Sequence, residues 1–349
     1  MVIVRGSIQP VCFCRKRDIN RPRKAPALSG PSATAMAQVM LPAWITSKED
    51  VQLAREGSLR VGSRTLAYLE TGDNSGPLVI HNHGGPSSRL EANLFATAAR
   101  AHGLRLVCVD RPGIGGSDPQ PGRSFASWAN DLLALAESFG AQHFAVTGWS
   151  EGGPWALAAA AYLDPARLAH VSCIAGASYG TFGANWAAKY QSSVDALGGR
   201  LALHFHPGFR LMYELLGLSA TRFEASYLQA LKKSIGASDQ EVLSDEGVCQ
   251  SFLEASRECF RQGAEGLVAD ATMLYEAWPF DLTTVTRPVH FWQGTDDKLV
   301  PEPINRTVAD QTPGAIWHSI SGGGHFIALS HANEILAQVA SDLDGHGHG

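Results

Sequence analysis

No apolar run in this chain is long enough to cross a bilayer. The longest, such as residues 156–163, fall far short of the roughly 20 residues a spanning helix needs, so no membrane partner is expected. An excess of one charge is also lacking. With 28 Lys+Arg against 33 Asp+Glu the formal net charge is −5, too mild over 349 residues for the field of a nucleic-acid binder. Cysteine is present but unpatterned. Cys12, Cys14, Cys108, Cys173, Cys249 and Cys259 make no CxxC pair and no Cys/His set at zinc spacing. Cys108 and Cys173 fall in apolar strand-like runs and read as reduced core thiols of a cytoplasmic protein. What remains is an ordinary globular composition, 45% apolar, long enough for one large α/β domain or one domain with an insertion.

Acidic residues are nearly missing from the first stretch. Arg5, Arg15, Lys16, Arg17, Arg21, Arg23 and Lys24 are opposed only by Asp18, and no adequate apolar region follows them. A secretory signal is therefore not expected. Residues 1–45 read as a disordered basic tail, as an over-extended reading frame whose start is Met36 or Met40, or, being Arg-rich and acid-poor, as a targeting peptide.

From about Leu53 strand and helix signals alternate. Residues 58–61 and 65–71 read as a hairpin turning at Gly62, and further strands are expected at 77–82, 104–110, 143–148 and 168–175. Helical spacing fills 88–102, 125–139 and 153–163 between them. Such alternation predicts an α/β fold with a mostly parallel sheet flanked by helices. Residues 50–178 and 282–345 form this core. Residues 179–281 read as an inserted helical lid carrying Trp186, Tyr190, Phe205, Phe209, Tyr213, Phe223 and Tyr227. Strands at 288–294 and 315–319 and helices at 303–311 and 326–343 complete the core, and the closing Gly-His-Gly-His-Gly reads as a frayed end.

Chemistry concentrates at the ends of these strands. Gly148-Trp149-Ser150-Glu151-Gly152 is a G-x-S-x-G elbow between an apolar strand and an Ala-rich helix, where the turn lifts a serine hydroxyl above the sheet. Alone the pattern is weak; its strand-to-helix context carries the weight. A serine needs a base that is held by an acid. Asp296 and Asp297 follow the strand at 288–294, and His325, on the turn Gly322-Gly323-Gly324, follows the last strand, in the chain order Ser, Asp, His. The remaining histidines carry no such context; His331 falls inside the last helix, and the His204/His206 pair has no neighbours that make a metal site. An oxyanion needs two backbone N–H donors. Glu151 is expected to supply one, and the turn His83-Gly84-Gly85-Pro86 the other, from Gly85 first and Gly84 second, with His83 ordering the turn.

Taken together, the chain resembles the α/β-hydrolase superfamily over about residues 53–343. The nearest likeness is to bacterial serine hydrolases with an HG-x-P turn, a D-R-P-G-x-G-x-S loop (Asp110 to Ser117) and a G-x-S-x-G-G elbow; Trp278-Pro279-Phe280-Asp281-Leu282 also resembles that group. The family's spacing favours Asp297, three residues after Gly294, as the triad acid, with Asp296 bracing the loop. Serine at the elbow argues against dehalogenases and epoxide hydrolases of this fold, which use Asp. The resemblance implies a serine esterase acting on a small-molecule carboxylic ester, lactone or thioester, with Ser150, Asp297 and His325 catalytic and no cofactor or metal. Perhydrolase activity would use the same triad. Prolyl aminopeptidases share the HGGP turn; that alternative needs lid carboxylates, for which Glu214 and Glu224 are the candidates. A ligand-binding protein that kept the fold without turnover is the third reading.

Overall fold

The computed structural model describes residues 53–177, 179–182 and 193–346. The expected tail, residues 1–45, and the aromatics Trp186 and Tyr190 lie outside the described residues. Eight strands form one sheet in the order β1-β2-β4-β3-β5-β6-β7-β8. They are β1 Arg55–Val61, β2 Arg64–Gly72, β3 Leu78–Asn82, β4 Arg105–Val109, β5 Phe144–Trp149, β6 Leu168–Ile174, β7 His290–Gly294 and β8 Ile316–Ile320. The first two pair antiparallel as a hairpin, β2 joins β4 antiparallel, and every later pairing is parallel.

Burial follows position in the sheet. Every residue of β3, β5, β6 and β7 is buried, whereas edge strands β1 and β8 alternate between exposed and half-buried positions. Central strands covered on both faces need no polar alternation, which is why they read as continuous apolar runs. One face packs on the helices Phe125–Ser138 and Gly153–Tyr162, through Trp128, Leu132, Trp155 and Leu157. The other packs on Ala96–Ala101 and Ala332–His346, through Ala99, Ile335, Leu336 and Val339. Each large side chain so buried contributes about 1.5–3 kcal/mol. The helix Phe125–Ser138 starts on a capping box in which Ser124 Oγ accepts from Ser127 N, and it stops where Gly140 turns to φ 70°.

Two expected helices differ. Residues 88–102 open as a 3-10 helix, Arg89–Phe95, before the α-helical turns Ala96–Ala101. Bonds from the buried Arg89 and Glu91 to Asp110 and Gly84 hold this stretch in the tighter form. The last helix is broken into Ile327–Ser330 and Ala332–His346; His331 lies at the break, and Gly345 and His346 of the expected frayed end are helical. Residues 179–281 contain only helical elements among the described residues, the longest being His206–Arg222. No described helix is long and apolar enough to cross a membrane.

Candidate active site

Ser150 follows β5 with φ 54°, a left-handed backbone that costs a residue with a Cβ about 1–2 kcal/mol. Close packing holds it there. A Cβ on Gly148 would land on the Gly152 carbonyl, and one on Gly152 would land on the Asn82 carbonyl, so only glycine fits the elbow at either place. The Ser150 carbonyl accepts from Ala177 N at 2.9 Å. The buried helix Gly153–Tyr162 begins immediately after the 3-10 turn Ser150–Gly152, so the Glu151 amide lies at an N-terminal end, where amides point away from the helix.

The turn after β3 faces the elbow, where a Cβ on Gly84 would stand at 3.4 Å from Ser150 Cβ. The Gly84 amide is committed, donating to both Glu91 carboxylate oxygens at 3.1 Å. The Gly85 amide has no hydrogen-bond partner among the described residues, and a Cβ on Gly85 would land on the Glu151 carboxylate. His83 Nδ1 donates to the Gly84 carbonyl at 2.8 Å, and burial, reinforced by the Arg111 charge, holds its pKa well below the ordinary histidine value. It is a neutral brace of the turn. Arg111, fully buried, donates to the His83 and Gly84 carbonyls and pairs with Asp270 of the helix Glu265–Tyr275. The Asp110 to Ser117 loop therefore clamps this turn, and Asp110 itself accepts from Arg89 and Gly116.

Asp297 and His325 are brought together at the ends of β7 and β8. Asp297 Oδ1 accepts from Leu299 N at 2.9 Å and Val300 N at 2.8 Å, while Oδ2 accepts from His325 Nδ1 at 2.9 Å. With Nδ1 holding the proton, Nε2 carries the basic lone pair. Burial pushes the His325 pKa down, but the Asp297 carboxylate, then Asp239 and Glu91, more than offset it, and the net direction is up. Asp296 turns away: its Oδ1 accepts from Thr295 Oγ1 at 3.3 Å and its amide donates to Gly323. Trp149 Nε1 donates to the His325 carbonyl at 3.0 Å, tying the elbow to the histidine loop.

Ser150 and His325 line one cavity of about 190 Å³ with Gly84, Gly85, Glu91 and Glu151. No hydrogen bond joins Ser150 Oγ to His325 Nε2 among the described residues, and contacts of this kind commonly tighten only with substrate bound. Tyr227, Leu231, Phe252 and Tyr275 close the cavity from the helical insertion. Glu214 and Glu224 do not line it; both are exposed and paired with Arg210 and Arg257. His204 and His206 are exposed.

Two residues bearing on this site carry no sequence signal that points to their role. Glu91 holds the Gly84 amide and also contacts His81 Nε2 at 2.9 Å. The spacing Ser88-x-x-Glu91 resembles a capping box, yet the Ser88 side chain accepts from Leu90 N and Glu91 bonds across to the turn. Asp239, from the helix Ala237–Val242, accepts from Phe326 N at 2.8 Å, next to His325. It lies 87 residues from Phe326, beyond any local pattern.

A serine elbow after β5, an acid after β7 and a histidine after β8, all at one end of a mostly parallel sheet, define an α/β hydrolase. The sequence model of the alpha/beta hydrolase fold matches residues 77–332, and the chain belongs to that family. Over 301 residues, 85% of this chain and 96% of the relative, it is 24% identical to a 2-hydroxymuconate semialdehyde hydrolase of Pseudomonas putida. Its structure is similar to a bromoperoxidase from Bacillus anthracis (TM-score 0.60, 19% identity, covering 82% of this chain and 100% of that one). It is also similar to an esterase from Rhodococcus sp. (TM-score 0.57, 19% identity, 84% and 99% covered). At such identities the solved structures speak to fold alone.

Proposed function

We propose that the protein is a serine hydrolase that cleaves a carboxylic ester, lactone or thioester through an acyl-enzyme on Ser150. The observation that carries this reading is the strained Ser150, lining the same cavity as an Asp297-held His325. His325 Nε2 takes the hydroxyl proton as Ser150 Oγ attacks the carbonyl, and Asp297 stabilises the resulting imidazolium. The Gly85 and Glu151 amides receive the oxyanion. His325 then gives its proton to the leaving alcohol or thiol, and next activates water to release the acid.

The cavity limits the acyl group. A cavity of about 150 Å³ accommodates a benzene ring, so about 190 Å³ suits an acyl group of roughly that size. Glu91 and Glu151 line it, and no Lys or Arg does among the described residues, which favours neutral acyl groups over anionic ones. Both acids named for the aminopeptidase alternative sit on exposed faces outside the cavity, which counts against that reading. The reading includes a cytoplasmic location, with which the unbridged thiols Cys108, Cys249 and Cys259 accord; recovery of the native protein in a secreted fraction would count against it.

Hydrolysis of p-nitrophenyl acetate, butyrate, octanoate and hemisuccinate, with proline p-nitroanilide alongside, tests the proposal. Turnover is expected for acetate and butyrate, reduced for octanoate and lowest for the hemisuccinate. Turnover of the anilide alone would overturn it in favour of the peptidase.

A further inference from the structure

We propose a divalent transition-metal site at the end of the sheet opposite the cavity, formed by His170 Nδ1, His290 Nε2 and the Asp342 carboxylate, with Zn²⁺ as the ion it suits. The ligands come from β6, β7 and the helix Ala332–His346, so no spacing motif announces them. Their ligand atoms all lie within 4.8 Å of one another. Two imidazoles with one carboxylate are zinc-type donors, and a fourth position is left for water.

Two of the three ligand separations are close to what the ion needs. Bonds of about 2.0–2.1 Å in a tetrahedron put ligand atoms about 3.3 Å apart. Asp342 Oδ2 already stands 3.3 Å from His290 Nε2 and 2.7 Å from His170 Nδ1. A small rotation of the Asp342 side chain, 27% exposed, opens the shorter distance and gives the ion a path from solvent. The rings are held from behind. With metal on Nδ1, His170 Nε2–H donates to Ser172 Oγ, 2.6 Å away. With metal on Nε2, His290 Nδ1–H donates to His318 Nε2, 3.0 Å away, and His318 is itself stacked on Trp292 at 3.8 Å. Outer partners of this kind fix ring tautomer and orientation in metal sites. Ser172 and His290 are register partners, so His170, Ser172 and His290 share one rigid sheet face. Arg287 at the rim donates to the Ala169 carbonyl, and its charge opposes a dication, which keeps affinity below that of a closed four-ligand zinc site.

The same three groups can instead be joined by two N–H···O bonds, and experiment separates the two states. The full chain, stripped with chelator and gel-filtered, is titrated calorimetrically with ZnCl₂ alone. One Zn²⁺ per chain is expected, with affinity about tenfold or more weaker in Asp342→Asn and in His290→Gln. A control lacking His204, His206 and the tail His348 should bind as the wild type does. X-ray absorption of the wild-type 1:1 complex should show an N/O shell with imidazole scattering at about 2.0–2.1 Å, which decides the matter even if a variant fails to fold. Absence of stoichiometric zinc, binding unchanged in Asp342→Asn, binding lost in the control, or a sulfur shell would each overturn the site.

Discussion

Replacing Asp239 by alanine removes the acceptor of Phe326 N and, at a longer 3.3 Å, of Gly236 N. Asp239 is buried, so the abandoned Phe326 amide has no water to turn to, and a buried N–H left without a partner costs about 1–3 kcal/mol. Adding the weaker Gly236 bond gives about 2–3 kcal/mol. At about 2 °C per kcal/mol for a domain of this size, the melting temperature should fall by about 4–6 °C. The catalytic effect has its own signature. Asp239 is among the charges that raise the His325 pKa, so the acid limb of kcat/KM should move to lower pH in the variant. Asp239→Asn keeps an acceptor while losing the charge. It should recover most of the melting temperature and none of the pH shift. Differential scanning fluorimetry and a pH–rate profile on p-nitrophenyl acetate read both effects. An alanine variant within 1 °C of wild type, with an unmoved acid limb, would refute this account of Asp239.

Other consequences concern the clamp, the base and the lid. Arg111→Met should leave Asp270 buried beside Arg123 without its main partner, costing about 3–5 kcal/mol, and should lower kcat more than it raises KM, because the His83 carbonyl loses its donor and the Gly84 carbonyl keeps only His83 Nδ1. Since only neutral His325 can accept the serine proton, kcat/KM should fall as pH drops through a pKa above the ordinary value of about 6.5; Asp297→Asn should shift that limb downward and cut kcat by about 10⁴. Glu214→Gln and Glu224→Gln should leave ester hydrolysis unchanged, and amide turnover that either substitution abolishes would reopen the aminopeptidase reading.

The sheet was legible because its central strands are buried on both faces and end at glycine turns that sequence can carry. Each expected strand from 77–82 onward matches an observed one to within two residues at either end, because β-branched and apolar runs between turns leave little choice. The placement of Ser150, Asp297 and His325 at one end of the sheet was legible for a related reason: each follows a strand that announces itself. The 3-10 opening at Arg89–Phe95 was hidden, because it is set by ion pairs to Asp110 and Glu258 at separations of 21 and 169 residues. Asp239 and the His170–His290–Asp342 cluster were hidden likewise, since their partners meet only once the sheet and its helices are assembled. Glu91 carried a local pattern that pointed to the wrong bond.

Labelling with a fluorophosphonate probe followed by peptide mass mapping tests whether Ser150 is the nucleophile. One adduct is expected, on Ser150, abolished in Ser150→Ala and slowed in His325→Ala, with ester turnover lost in parallel. An adduct on another residue, or ester turnover that survives in Ser150→Ala, would contradict it.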